Sequence, residues 1–143
     1  MASIDRIKVR MAFRQVYLGV VNLPPINHWQ FENQSFDPKG LSFWGKESLL
    51  IVDERLVATK LLGLTAILQL DLNVPQGSGT EIIEAASKTL LELLKAGTHL
   101  NLQDEPNFAV ALDTATPMSA RIEDSWYRIP HSFFFRTYQF SDV

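Results

Sequence analysis

The sequence predicts an α+β fold, in which a mixed, largely antiparallel sheet is covered by two helices in the order α-β-β-β-α-β-β-β. Three observations favour this fold. The 143 residues are 46% hydrophobic and 20% charged, a balance that suits a single packed domain over residues 1–143. Two segments repeat apolar residues every three to four positions, as helices do. Most other apolar segments are short or alternating and are separated by turns, as hairpin-linked strands are.

The first helix is predicted to start after Ser3, a good N-cap residue, and to run to about Gly19. It has apolar residues on two roughly opposite faces: Ile4, Ile7, Met11 and Leu18 on one, and Val9, Phe13, Val16 and Val20 on the other. Between them runs a basic stripe, spaced by four residues, of Arg6, Arg10 and Arg14. A surface helix normally has one apolar stripe. Either one face packs on the sheet and the other on a partner, or the domain buries both.

A loop rich in aromatic residues is expected next. Pro24 and Pro25 end the first unit, because proline cannot continue a helix, and Asn27–Phe31 is predicted to be a short strand. The segment Asp37-Pro38-Lys39-Gly40 has the residues of a type I turn at their preferred positions. The aromatic residues of this region are Phe31, Phe36, Phe43 and Trp44. They either contact a partner or lie beneath the loop in the core of the subunit.

Two long strands, Leu41–Val52 and Val57–Val74, are predicted to form an antiparallel hairpin around the polar break Asp53-Glu54-Arg55. In the second strand apolar residues alternate with polar ones, which is the pattern of a half-buried strand. Its predicted buried face consists of Leu64, Ala66, Leu68, Leu70 and Leu72.

The second helix is predicted to begin at a capping box formed by Ser78 and Glu81 and to end before Gly97. Leu91 lies alone on its polar face and is a candidate contact. Further strands are expected near residues 100–102, 108–112 and 121–123 and over Trp126–Phe140, where Pro130 predicts a kink, bulge or edge. This last strand has aromatic residues on both faces: Tyr127, Phe133 and Phe135 on one, and Trp126, Phe134, Tyr138 and Phe140 on the other. Both faces are buried if something covers the outer one.

No pattern of catalytic, cofactor-binding or metal-ligating residues is recognisable, so the sequence predicts binding and assembly rather than chemistry. The chain has no cysteine, and His28, His99 and His131 lack the spacing of a metal site. The segment Gly77-Ser78-Gly79 precedes a helix, whose N-terminus can bind anions, but a tight turn explains these residues and no Gly-Lys-Ser/Thr follows. The neighbouring carboxylate pairs, which would point to opposite faces of a strand, are Asp53–Glu54, Asp104–Glu105 and Glu123–Asp124.

The net charge of −3 is unevenly distributed. The first twenty residues hold four basic residues and one acidic residue, so the remainder is acidic, which argues against broad nucleic-acid binding. No segment has the pattern of a signal peptide or of a membrane-spanning helix, and a soluble protein with no membrane partner is expected.

Two segments resemble the tail terminator and tail-completion proteins of tailed bacteriophages. The first, Trp29–Pro38, is similar to the family pattern W-x-N-x-x-F-x-P. The second, Gly63–Gly79, is similar to the family's strand and turn, G-x-x-Q-x-D-V-x-x-P-x-G-x-G, with looser spacing. The helix that follows and the aromatic strand Trp126–Tyr138 are similar as well, whereas Ser48–Leu62 does not align.

The resemblance implies an α+β subunit of the lambda tail-terminator type. Such subunits form a ring, expected to be hexameric, that caps the tail tube, ends its polymerisation and joins the tail to the head-side connector. The implied partners are further copies of the chain, the tail tube protein and a head-side connector or neck protein, with DNA passing through the ring without specific binding. The implied location is the head-proximal end of the virion tail, after assembly in the host cytoplasm. No catalytic residue, cofactor or metal is carried over.

The expected interface residues are Arg6, Arg10, Phe13, Arg14, Phe36, Pro38, Trp44 and Leu91. Because a basic channel would bind passing DNA, the inner wall is expected to be acidic or neutral and the arginine stripe to lie away from it. Candidates for that wall are Asp53, Glu54, Asp71, Asp104, Glu105, Glu123 and Asp124. The alternatives are another neck or minor tail component of the same fold and, from a different class, a small anion- or ligand-binding domain that uses the Gly77–Gly79 turn.

Overall fold

The computed structural model describes residues 4–103 and 105–140, with only the backbone of Pro106. Within these residues two helices, α1 (Arg6–Tyr17) and α2 (Glu81–Leu93), accompany one seven-stranded sheet. The strands are β1 (Trp29–Gln30), β2 (Trp44–Ala58), β3 (Leu61–Pro75), β4 (His99–Leu102), β5 (Glu105–Pro117), β6 (Arg121–Glu123) and β7 (Trp126–Phe140). Their order is β1-β2-β3-β7-β5-β4, with β6 paired to one end of β7. Among these pairs only β1 and β2 are parallel. The predicted α+β fold is confirmed, and a strand is present at each of the four segments expected after α2, one more than the predicted order shows.

Helix α1 is capped by a residue other than the predicted one. The Asp5 carboxylate accepts hydrogen bonds from the backbone N–H groups of Ile7 and Lys8, at 3.0 and 3.3 Å. The predicted cap, Ser3, lies outside the described residues. The helix ends at Tyr17, and its buried residues are Val9, Ala12, Phe13 and Tyr17.

The β2–β3 hairpin turns later than the sequence predicts. Asp53, Glu54 and Arg55 continue β2 and pair with β3, and the chain turns at Thr59–Lys60, where Lys60 has a φ of 57°. The predicted polar break is therefore wrong. Two register shifts, after Ile51 and after Leu56, keep the ladder paired past the charged residues.

The predicted buried face of β3 is confirmed. Its side chains lie against two phenylalanines of the neighbouring strand β7, Phe133 and Phe135, which are fully buried. Both helices cover this inner face. Phe13 of α1 meets Phe135 edge-on at 4.9 Å, and Ser87 of α2 bonds His131 of β7. The helices and the sheet thus form two layers with one core between them.

Helix α2 begins without the predicted capping box. Thr80 occupies the N-cap position, and its side chain makes no capping hydrogen bond. The Ser78 hydroxyl instead donates to the carbonyl of Pro75 at 2.7 Å. Glu81 and Glu84 lie in the first turn, where negative charge favours the helix dipole.

Strand β7 runs through Pro130 without a break in its register with β3. On its other side, pairing with β5 begins only at His131, so Pro130 lies just past the end of that ladder. A residue without an N–H is tolerated there. Because β7 pairs with both β3 and β5, it is the central strand of the sheet.

Candidate interaction surfaces

The side of the sheet away from the helices exposes an apolar surface, which we call the outer face. It comprises Leu50 and Val57 of β2, Ile67 of β3, and Phe134, Tyr138 and Phe140 of β7. Leu50, Ile67 and Phe134 stand beside one another across three strands. The three aromatic side chains are 38–59% exposed. The prediction that they lie opposite Phe133 and Phe135 is confirmed, and none of the described residues covers them fully.

A hollow of about 120 Å³ opens on the outer face at Gly63. The side chains of Val57 and Tyr138 flank this glycine. A Cβ added to Gly63 would lie 2.9 Å from Val57 Cγ1 and 3.3 Å from Tyr138 Cε1, so glycine is what allows these two side chains to pack closely over the strand. The charged side chains of the rim are Asp53, Arg55 and Arg136. The sequence carries one signal for this hollow, since a glycine inside a strand often marks a close approach by another group.

A second exposed apolar surface lies on α1. Ile7 and Met11 are 71% and 51% exposed, and we call this pair the ridge. The helical spacing of 100° per residue puts the ridge opposite the buried residues Val9 and Phe13. One of the two predicted apolar faces of α1 is therefore buried in the domain. The other predicted face is partly buried and partly exposed, because Ile4 at its N-terminal end is buried whereas Ile7 and Met11 are exposed.

Two of the three arginines of the stripe, Arg10 and Arg14, are engaged within the chain. The Arg14 guanidinium lies 2.7 Å from the carboxylate of Glu47, which is completely buried, and 4.1 Å from the centre of the Phe31 ring. Arg10 lies 3.1 Å from Glu32, whose carboxylate also accepts the Leu49 backbone N–H at the edge of β2. These contacts tie α1 to the sheet, so neither side chain is free for a partner in the way that the sequence predicts.

Burial and charge shift the pKa values of this cluster. For Arg14, burial lowers the pKa, but the hydrogen bond and the charge of Glu47 together outweigh it and raise the pKa. Burial, followed by the nearby Glu47 carboxylate, raises the pKa of the Tyr17 hydroxyl well above its usual range. Arg14 therefore stays ionised and Tyr17 stays neutral at physiological pH.

Several predicted interface residues lie in the core of the subunit. Phe13 is fully buried, and Trp44 is 3% exposed, with its ring 5.5 Å from Trp126 and 5.4 Å from Phe36. The expectation that Phe13 and Trp44 contact a partner is wrong, because the domain already packs around them. The half-buried Leu91 also packs against the core.

The loop before β2 borders an open groove of about 640 Å³. Residues 37–42, which include Pro38, form one side, and Pro75, Ser125 and Trp126 form the other. Of the predicted interface set, Arg6 is exposed, and the partly exposed members are Arg10, Arg14, Phe36, Pro38 and Leu91.

The candidate acidic residues do not converge on one described patch. Asp53 and Glu54 lie near the turn of the β2–β3 hairpin, and Glu123 and Asp124 lie at the opposite end of β7, about 30 Å away along the strand. Several already have partners: Asp53 pairs with Arg55, Glu105 with Lys8, and Glu123 with Arg121 and Arg128. Asp71 is buried, and Asp104 lies outside the described residues.

Among the described residues, no three His, Asp or Glu side chains come together in a way that could hold a metal ion. His131 is buried, with Nδ1 3.1 Å from the Leu70 carbonyl and Nε2 2.7 Å from the Ser87 hydroxyl. Burial lowers the pKa of this histidine, against smaller opposing effects of the Leu70 carbonyl and the Asp71 charge. The neutral imidazole, donating from Nδ1 and accepting at Nε2, fits both contacts.

The Gly77–Gly79 turn is closed on itself. The Ser78 backbone N–H and the Ser78 hydroxyl both donate to the Pro75 carbonyl, at 3.1 and 2.7 Å. Gly77 and Gly79 have φ values of 87° and 91°, which glycine adopts readily. Since both donors of Ser78 are already used, the turn does not offer them to an anion.

Neither described helix is long and apolar enough to cross a lipid bilayer.

Comparison with known proteins identifies the fold but no family. No protein-family model and no curated protein sequence matches the chain. A solved protein structure whose name describes no activity superposes with a TM-score of 0.71. The alignment covers 98% of this chain and 99% of that one, at 16% sequence identity. The chain therefore shares a whole-domain α+β fold with that protein, and this level of identity shows the fold alone.

Proposed function

We propose that this protein is a structural, non-catalytic subunit that forms a ring, expected to contain six copies, at the head-proximal end of a bacteriophage tail. In this proposal the ring caps the tail tube, ends its polymerisation and joins the tail to a head-side connector or neck protein. DNA passes through without specific binding, and the ring is assembled in the host cytoplasm.

The exposed apolar outer face of the sheet is the observation that carries this proposal. A monomer seldom leaves a group of aromatic side chains such as Phe134, Tyr138 and Phe140 open to water unless that surface binds something. A large exposed sheet face suits protein–protein contact better than small-molecule binding, for which an enclosed cavity is the usual site. The closed Gly77–Gly79 turn gives no support to the anion-binding alternative.

The mass of the protein in solution tests the proposal. We expect size exclusion with light scattering to give a defined multiple of the 16.2 kDa subunit, and negative-stain images to show rings. The oligomeric state is taken from the mass measured by light scattering and not from the elution volume, because an elongated monomer also elutes early. A strict monomer at high concentration that is also absent from assembled tails would contradict the proposal.

A structure of the ring tests the expected channel. We expect acidic or neutral side chains on its wall and the Arg6, Arg10 and Arg14 stripe away from it, because basic residues would hold DNA phosphates. Arg10 and Arg14 already face Glu32 and Glu47, which supports their placement outside the channel. A wall lined by these arginines would contradict the expected channel.

A further inference from the structure

The ridge and the outer face lie on opposite sides of the molecule. The ridge of Ile7 and Met11 points away from the core on the helix layer, while the outer face lies on the far side of the sheet. The helix and the sheet stand between them. One copy therefore cannot bury its ridge on its own outer face.

We propose that the ridge of one copy docks into the Gly63 hollow and onto the outer face of the next copy. This inference rests on the proposed ring and names the two surfaces that would build it. Two different surfaces in contact give a head-to-tail arrangement, which closes into a ring when the rotation between copies allows it. A two-fold dimer would instead bring one surface against itself and leave the other exposed.

The shapes of the two surfaces are complementary. The ridge is convex and presents two flexible or branched apolar side chains one helical turn apart. The hollow is concave and lies beside Val57 and Tyr138, which pack over Gly63, and the charged side chains Asp53, Arg55 and Arg136 also line it. Its volume of about 120 Å³ is of the size that one aliphatic side chain fills. Apolar side chains inserted into such pockets commonly dominate the energy of an interface.

The charges around both surfaces favour a second copy over a strongly charged partner. At the rim of the hollow, Arg55 pairs with Asp53 at 3.2 Å and Arg136 pairs with Asp113 at 2.9 Å. Beside the ridge, Lys8 pairs with Glu105 at 3.0 Å and Arg10 with Glu32 at 3.1 Å. Each charge is thus balanced within its own copy, and two such neutral surfaces can approach without repulsion.

The area of the outer face is sufficient for a stable contact. Its exposed apolar side chains offer on the order of 400 Å². A standard interface buries about 800 Å² on each partner, somewhat more than half of it apolar. The apolar outer face therefore comes close to the apolar share of a standard interface.

Chemical cross-linking between single-cysteine variants tests this arrangement, and the chain is well suited to it because it has no cysteine of its own. We expect Met11→Cys protein mixed with Val57→Cys protein to give a covalent dimer with a short bis-maleimide. Each variant alone should give little product, because the head-to-tail contact joins unlike positions. The double variant should give a ladder of bands that stops at the ring. Dimers formed as efficiently by Val57→Cys alone would overturn the proposal in favour of sheet-to-sheet contact.

A pair of matched substitutions gives an independent test. Met11→Glu should raise the concentration needed for assembly at least tenfold, because a carboxylate would have to enter the hollow. The control is Ile82→Glu, which changes an equally exposed apolar residue on the other helix. Circular dichroism should show both variants folded, since both side chains lie mainly in solvent. Equal effects of the two substitutions would overturn the proposal.

The results separate this inference from the proposed function. Oligomers of defined mass without the Met11–Val57 cross-link would reject the docking arrangement and leave the ring standing. A wild-type monomer by light scattering, with no cross-link, would reject both.

Discussion

At the residue scale, His131 links stability to pH. Its folded-state pKa is lowered, chiefly by burial, whereas in the unfolded chain it titrates near its ordinary value of about 6.5. Below that pH the unfolded chain takes up a proton that the folded chain does not, so this residue destabilises the fold as the pH falls from about 6.5 towards the folded pKa. We expect the free energy of unfolding to drop by at most about 1.4 kcal/mol per pH unit there, and His131→Gln to remove that part of the slope. Urea denaturation of both proteins at pH 7.5, 6.5 and 5.5 measures the difference. Parallel pH profiles for the two proteins would show that His131 does not titrate in this way.

At the element scale, three ion pairs join α1 to the sheet region, and burial predicts that those of Arg14 and Arg10 differ in strength. Glu47 is fully buried, whereas Glu32 is exposed, and Arg14 and Arg10 are each partly exposed. Arg14→Ala leaves a buried carboxylate without its charge partner, which costs about 3 kcal/mol of unfolding free energy. Arg10→Ala removes a pair of the solvent-exposed kind and is expected to cost less than about 1 kcal/mol. The pair of variants controls for the loss of an arginine from the same helix, and thermal and chemical denaturation give both values. Similar losses would mean that burial does not set the strength of these contacts. Charge reversal at Arg10 would act on the fold as well, since Glu32 joins Arg10 to the edge of β2.

At the scale of the whole molecule, the sequence is sufficient to predict the fold class and the features that local periodicity encodes. The alternation of β3, the two faces of β7 and the second helix follow from spacing, and each is present. The hairpin turn at Thr59–Lys60 was missed because it has none of the usual Gly or Asn signals and because charged residues can continue an edge strand. Phe13 and Trp44 were misassigned because an apolar residue in a helix or loop gives no sign of which layer will cover it. The Gly63 hollow was missed for a related reason: Val57 and Tyr138 lie 81 positions apart in the sequence and meet only through strand pairing.

The central position of β7 has a consequence for the order of folding. β3 can pair with β2 as soon as the hairpin forms, but its other edge must wait for a strand about 65 residues further along the chain. Contacts so distant in sequence form slowly, because a long loop has to close first. During synthesis on the ribosome, the open edge of β3 therefore emerges well before the strand that pairs with it. The nascent chain passes through a stage that is prone to aggregation, and a chaperone that shields an apolar strand would act at that stage.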